Sequence, residues 1–450
     1  MIFSNFNKIA SNYERSILLR LADAGINSVL PKNFINKYVK VSKGSIIIKN
    51  KKFRIKNKRI FVIGAGKMAN EMALEIEKII GCRNIVYGIV SSNYIRKKPK
   101  KIIAHKATHP IPSISSFRGA KKIMEIKDKF KLNKKDLIIS LISGGGSSLL
   151  CCPKDGISLE EKRNVIKLLI KCGASVHEIT IIKKKISKIK GGKLAEYFYP
   201  TPIISLVVSD VIGDDLDVIA SGPLTRDKSN SEDALNIMKK YNLLNKMPKN
   251  IIRIIKNGQN NRNQKFNHVH QFLLASNSIA LEAIKKKAER MGIKVIIKRG
   301  VQGEARLVAK KLCEIKKSTN SALFVYGGET TVTLGNKFGK GGRNQEFIAA
   351  ALKYFNCAKF NDFDFAIASI ASDGVDFIKE SCGGIIDKSS FNLAKKLGID
   401  LNKHLKNHDT YSILSKMNSS LSTNGLTGTN VGDMMLFLFL KRQNVRNLRI

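Results

Sequence analysis

The feature that most restricts the fold is a repeated alternation of short apolar runs with longer stretches of helical periodicity, each run ending in a glycine-rich or acidic turn. Ile60-Phe61-Val62-Ile63 has no polar gap, and it leads through Gly64-Ala65-Gly66-Lys67 into Met68, Met72 and Ile76 at helical spacing. A strand that is apolar on every residue is covered on both faces, as in a parallel sheet between helices. The unit recurs: strand 84–90, helix 116–130, strand 136–142 ending in Ser143-Gly144-Gly145-Gly146-Ser147-Ser148, helix 159–172, and strand 202–208. That last strand runs into Ser209-Asp210-Val211-Ile212-Gly213-Asp214-Asp215-Leu216-Asp217. Strands alternating with helices predict an α/β chain built on a doubly wound, mostly parallel sheet.

A chain of 450 residues exceeds one ordinary core, so two domains of roughly 200 residues each are expected. Residues 257–267 are polar and rich in Asn and Gln, which marks a surface loop, and the boundary is placed upstream of it, giving domains 1–240 and 241–450. Beyond the loop the alternation resumes with strand 271–275, helix 279–291, strand 294–297, helix 303–316 and strands 322–326 and 365–370. Residues 434–440 read as a closing strand before a basic tail. At the other end a helix over 12–24 has Ile17, Leu18, Leu21 and Ala22 on one face, and residues 45–55 are strand-like with a basic centre.

Lys and Arg number 80 against 35 Asp and Glu, a formal charge of +45, so a polyanionic partner has to be weighed. The lysines are spread from Lys32 to Lys441 among many Ile and Asn, as AT-rich coding would give, and no RRM, KH or zinc-finger pattern accompanies them. No specific nucleic acid is therefore expected, although the charge can still draw anionic substrates. Cys82, Cys151, Cys152, Cys172, Cys313, Cys357 and Cys382 include no C-x-x-C pair, which speaks against disulfides and structural zinc. Residues 1–15 lack the pattern of a secretory signal and no apolar run reaches the ~18 residues of a membrane span, so no membrane partner is expected and the cytoplasm is the default.

Open α/β sheets bind ligands beyond the carboxyl ends of their strands. Gly64, Gly66 and Lys67 occupy such a position, offering backbone N–H groups at a helix start and an ammonium beside them. The match to a dinucleotide fingerprint is partial, because the next strand ends in Val90-Ser91-Ser92-Asn93 without the acid that would hold a ribose. Ser143, Gly144, Gly145, Gly146, Ser147 and Ser148 read as a phosphate cradle, with an ordinary tight turn and a Ser147 nucleophile as the alternatives; the segment is not a Walker A loop. Asp210, Asp214, Asp215 and Asp217 crowd one turn before Ala220-Ser221-Gly222-Pro223, which suggests magnesium on Asp210 and Asp215, while Asp214 and Asp217 are expected to cap the turn and face water. Further on, Gly327-Gly328-Glu329-Thr330 and Gly341-Gly342-Arg343-Asn344-Gln345-Glu346 form a second polar group in which Arg343 suits bidentate recognition of a carboxylate or phosphate. Asp373, in Ser372-Asp373-Gly374 after an apolar strand, joins Asp210 as a candidate general base. His268 and His270 share one face of an extended stretch without a third ligand nearby.

Taken in order, these segments resemble the glycerate 2-kinase family, whose carboxy-terminal part is the MOFRL region, here about 321–440. The carriers include those segments together with Thr108-His109-Pro110, Ile189-Lys190-Gly191-Gly192, Gly303-Glu304-Ala305-Arg306 and Thr427-Gly428-Thr429-Asn430. The resemblance implies an amino-terminal Rossmann-like α/β/α sandwich, a second α/β domain, and an active site in the cleft between them. It also implies ATP and Mg2+, D-glycerate as substrate and 2-phosphoglycerate as product. Its lysine and arginine most closely tied to activity fall on Lys67 and Arg343, and Lys190, Gly328 and Glu329 join the glycine segments as expected nucleotide-binding residues. Ile212, Lys185, Leu426 and Cys382 depart from the family pattern, and Lys185 leaves no histidine at its position. Some family members carry the label hydroxypyruvate reductase, which makes an NAD(P)H-dependent reductase the alternative enzyme; a basic nucleic-acid-binding protein is the non-enzymatic alternative. A monomer and a homodimer are both compatible with the sequence.

Overall fold

The structure is a computed structural model that describes residues 1–258, 266–315 and 320–442. Most of the expected 257–267 loop, the end of the expected helix 303–316 and the basic tail lie outside the described residues. The chain divides into two compact units, one of Phe34–Leu274 and one of Met1–Asn33 with Ala275–Ile450. The expected boundary at 240/241 falls inside the first of these, at the end of the helix Ser231–Lys240.

In the first unit β1 (Val39–Ser42), β2 (Ser45–Ile48) and β3 (Lys51–Arg54) form a small antiparallel sheet. The main sheet comprises β4 (Ile60–Ala65), β5 (Ile85–Ser92), β6 (Ile102–Lys106), β7 (Leu137–Ile142), β8 (Ile203–Val208) and β9 (Val269–Ala275), in the order β6-β5-β4-β7-β8-β9. The pairings from β6 through β8 are all parallel. Every residue of β4, β7 and β8 is buried, as their unbroken apolar runs require. Phe61, Ile63, Ile89, Ile138 and Ile203 pack there with Ala120, Ile123 and Ile126 of the helix Ile114–Phe130. After β4 the chain winds outward through β5 and β6, whereas β7 returns to the other flank of β4 and β8 continues that way. The winding therefore reverses between β4 and β7, and such a reversal opens a crevice at the carboxyl ends of the two strands.

The second unit is built on β10 (Lys294–Glu304), β11 (Ala322–Thr331), β12 (Phe363–Ala371), β13 (Gly383–Asp387), β14 (Ser420–Leu421) and β15 (Asp433–Lys441), in the order β10-β11-β15-β12-β13-β14. Among the described residues of this sheet only the β10 and β11 pairing is parallel; β15 inserts antiparallel between β11 and β12. Burial of all but the last residue of β15 explains its apolar sequence as a central strand. Phe437 and Phe439 pack with Phe347 of the helix Arg343–Tyr354 and with Phe355 and Phe365. The helix Tyr13–Ser28 belongs to this unit although it opens the chain, because Arg15 is buried within it and pairs with the buried Asp387 at 2.6 Å. Among the described residues no helix is long and apolar enough to cross a membrane.

Candidate functional site

The register of β4 with β7 is unshifted and pairs Ala65 with Ile142, so the turns that follow them are neighbours. Gly66 has φ +145°, and a Cβ on it would lie 2.0 Å from Ser143 Oγ and 2.6 Å from the Ser143 carbonyl. The Lys67 N–H donates to the Gly144 carbonyl at 2.8 Å and the Met68 N–H to Ser143 Oγ at 3.0 Å. The two glycine turns thus stitch into one surface that only glycine at 66 permits. Gly66→Ala should cost roughly 1–3 kcal/mol through strain and overpacking, read as a lowered urea midpoint; unchanged stability would contradict the close approach.

Around that surface stand the groups that carry chemistry. A Cβ on Gly144 would fall 1.9 Å from Asp210 Oδ2, and one on Gly145 would fall 2.9 Å from His109 Cδ2 and 3.1 Å from Lys67 Cγ. Asp210, His109 and Lys67 therefore converge on the Gly144-Gly145 backbone. The amides of both glycines have no protein partner among the described residues. Gly145 takes φ +76° and caps the short helix Gly146–Leu149, while Gly146 is closed in, its Cα facing the Ala220 Cβ. Burial raises the pKa of Asp210, opposed by the charge of Lys67. Burial, with Lys67 and Lys183 adding to it, brings His109 down to about 4, so its ring is neutral at physiological pH.

The other residues expected in this unit have structural partners. Ser147 Oγ and Ser221 Oγ are 2.9 Å apart, and Ser148 Oγ donates to the Pro110 carbonyl. Among the described residues no histidine partners Ser147, so its reading as a nucleophile finds no base there. Gly64 lets β4 pack against β7, since a Cβ there would meet the Leu141 carbonyl at 2.5 Å. Lys190 is 1% exposed and its Nζ donates to the Leu150 and Ala220 carbonyls at 3.3 and 3.4 Å. It lies beneath the loops and braces them; burial holds its pKa well below the usual lysine range. Asp215 Oδ1 accepts the Asp217 N–H at 2.9 Å, and Asp217 pairs with Lys184. Asp217 is thus a buried ion-pair partner, where the sequence suggested a solvated cap, because Lys184 is buried opposite it. Among the described residues there is no group of three or more His, Cys, Asp or Glu side chains placed to hold a metal ion.

In the second unit Arg343 opens its helix with its fork already engaged: Nε is 2.5 Å from Asp433 Oδ2 and Nη2 is 2.9 Å from Asp433 Oδ1. Nη2 also lies 3.1 Å from Glu329 Oε1. The bidentate partner is a carboxylate of the protein itself, which leaves Nη1 and the partly exposed edge of the guanidinium for a ligand. Burial works against the charged form, but Asp433, Glu329 and Asp376 hold the Arg343 pKa above its ordinary value. The buried Asp376 caps the same helix, accepting the N–H groups of Asn344 at 3.0 Å and Gln345 at 2.9 Å. Glu346, buried one turn on, meets Arg306 at 3.1 Å and His408 at 3.0 Å. Glu329, Arg343, Glu346, Phe338, Phe377 and His408 line part of a cavity of about 370 Å³. Gly328 is a packing residue, since a Cβ there would be 1.9 Å from the Val301 carbonyl. Asp373 shapes its own turn, with Oδ1 accepting the Val375 N–H at 3.2 Å.

Sequence reading missed Asp433, which lies three residues past the Thr427–Asn430 segment; the available signal was an acid at the start of an otherwise apolar strand. The capping of the Arg343 helix by Asp376 was equally hidden, because 31 residues separate donor and acceptor. His109 was visible only within a motif, and its position against Gly145 comes from the fold.

A family model described as a domain of unknown function, DUF4147, matches residues 17–256, and the MOFRL family model matches residues 322–433. A glycerate 2-kinase of Pyrococcus horikoshii is 38% identical over 95% of this chain and 98% of its own. A D-glycerate 2-kinase of Thermotoga maritima is 34% identical over 85% of this chain and 91% of its own. The crystal structure of a glycerate kinase from Thermotoga maritima superposes with a TM-score of 0.81 at 30% identity, covering 94% of this chain and 99% of that one. Family models over both parts of the chain and relatives this similar along nearly their whole length show that the chain belongs to the glycerate 2-kinase family, with a carboxy-terminal MOFRL region.

Proposed function

We propose that this protein transfers the γ-phosphoryl group of ATP to the 2-hydroxyl of D-glycerate. The observation that carries the reading is the convergence of Lys67, Asp210 and the unpartnered Gly144 and Gly145 amides at the reversal point of the parallel sheet. Phosphoryl transfer asks a protein mainly to position its reactants and to offset charge that spreads over the phosphate oxygens. The two amides and the Lys67 ammonium supply fixed donors and a positive charge for those oxygens. In the second unit Arg343, held in place by Asp433 and Glu329, is a rigid cation of the kind that recognises a carboxylate or phosphate.

Asp210 is the carboxylate beside Lys67, and in that place it fits either of two tasks, accepting the proton of the glycerate hydroxyl or holding magnesium. Magnesium in kinases usually takes one or two protein carboxylates with water and phosphate oxygens, so the absence of a larger acidic cluster is compatible with it. The second carboxylate is assigned to Asp215, through the oxygen its turn does not use. When bound, the ion would neutralise charge on the nucleotide phosphates. Asp373 is the second candidate for the base. The reductase reading finds less support, since β5 ends in the buried hydroxyls of Ser91 and Ser92 where a ribose-binding acid would stand.

Purified protein with ATP, magnesium and D-glycerate is expected to release ADP in a glycerate-dependent manner, and to leave NADH unoxidised when given hydroxypyruvate. NADH oxidation with no glycerate-dependent ADP would replace the kinase by the reductase.

A further inference from the structure

The cavity of the second unit measures about 370 Å³, within the roughly 300–1,000 Å³ typical of small-molecule sites. Val332, Leu334, Phe338 and Phe377 line it together with Arg343 and His408. The walls are mainly apolar, yet Leu334 is 40%, Phe338 50% and Phe377 74% exposed. Neither phenyl ring meets another ring or a cation among the described residues. Large apolar side chains left open on one concavity mark a ligand site rather than core.

Both rings are presented by backbone that is anchored elsewhere. Phe377 has φ +66°, and the Ile378 N–H donates across it to the Asp376 carbonyl at 2.8 Å. That bond with a positive φ makes the form of γ-turn that is rare and strained, and a bulky residue at its apex is an outlier. Relaxing the turn would disturb Asp376, which is buried, donates its N–H to the Ser381 carbonyl at 2.7 Å and caps the Arg343 helix with its carboxylate. Strain held in this way collects where a ligand is gripped. Phe338 precedes Gly339, whose N–H donates to the Asn407 carbonyl at 2.7 Å and on which a Cβ would fall 2.5 Å from Asp409 Cβ. The charges of the lining are already committed: Asp376 to its helix, Glu346 to Arg306 and His408, and Arg343 to Asp433 and Glu329. What remains is a pair of flat apolar walls and the Nη1 side of Arg343. An occupant that is planar and uncharged over most of its length and anionic at one end matches both. D-Glycerate has no apolar face to set against two phenyl rings, whereas a nucleotide has a base with a π-face and phosphates beyond it. We infer that this cavity binds the nucleoside part of the nucleotide, with the base against Phe338 and Phe377. The inference deepens the kinase reading and rests on it for the identity of the nucleotide.

The test measures ADP and, separately, pyrophosphate by calorimetry on the wild-type full chain and on Phe338→Ser, Phe377→Asn and Phe377→Tyr. Asparagine adopts a positive φ readily, so the melting temperature of Phe377→Asn should stay level. Loss of one stacking ring in Phe338→Ser or Phe377→Asn should weaken ADP binding and raise KM for ATP by about tenfold. Pyrophosphate affinity and KM for glycerate should stay nearly unchanged, and Phe377→Tyr should bind ADP as wild type does. Unchanged ADP affinity in both ring-removing variants would overturn the inference, as would equal losses of ADP and pyrophosphate or an effect confined to glycerate. Should wild-type protein release no ADP with glycerate, the kinase reading fails separately. ADP binding that the two variants weaken then still sustains the cavity as a nucleotide site, and wild-type protein that binds no ADP overturns it.

Discussion

Replacing Arg343 by Ala should reduce glycerate-dependent ADP release by two to three orders of magnitude, the scale of losing one preorganised charge stabiliser. It should also destabilise the protein. Asp433 is fully buried and holds two bonds from the guanidinium, so truncation strands a carboxylate in the core of the second unit. Breaking such a pair costs roughly 3 kcal/mol, at the lower end of the buried range because the guanidinium edge meets solvent. The two effects separate in Arg343→Ala combined with Asp433→Asn, which removes the stranded charge. Urea denaturation should show most of the stability restored, while turnover stays low. Recovery of turnover together with stability would reduce Arg343 to a structural residue. Arg343→Lys should also be poor, since an ammonium cannot hold both Asp433 oxygens and still present a donor outward.

Lys67→Ala should bring a comparable loss of turnover, about a hundredfold to a thousandfold, with little change in stability. Lys67 has no ion-pair partner among the described residues and its backbone bond to Gly144 is kept by any residue. A second signature follows from Asp210. Burial already raises its pKa and Lys67 opposes that rise, so the variant should raise it further. With Asp210 required in ionised form, the fall of residual activity on the acid side should move to higher pH in Lys67→Ala. The measurement is a kcat profile against pH for both proteins; an unmoved acid limb would take Asp210 out of the role of base, and near-normal turnover would take Lys67 out of the site.

Much of the first unit was legible because its strands are apolar at every residue and its turns are glycine-rich, two signals that survive without tertiary information. The chain order of those strands also implied a parallel sheet, and the Lys67 and Ser143 turns could be placed at its carboxyl ends. The second unit was less legible. Its last strand inserts into the middle of the sheet, and no periodicity announces which neighbours it will take. That insertion is what delivers Asp433 to Arg343, so the engaged state of the fork could not be read from the motif alone. Likewise the assignment of Lys190 to nucleotide binding followed the family resemblance carried by Ile189-Lys190-Gly191-Gly192, whereas burial turns its ammonium onto carbonyls of the protein.

The most direct test of the account is the position of the phosphoryl group on the product. Phosphorus NMR of a reaction containing the protein, ATP, magnesium and D-glycerate should show the resonance of 2-phosphoglycerate growing in step with ADP. A signal from 3-phosphoglycerate, or ADP with inorganic phosphate alone, would contradict transfer to the 2-hydroxyl.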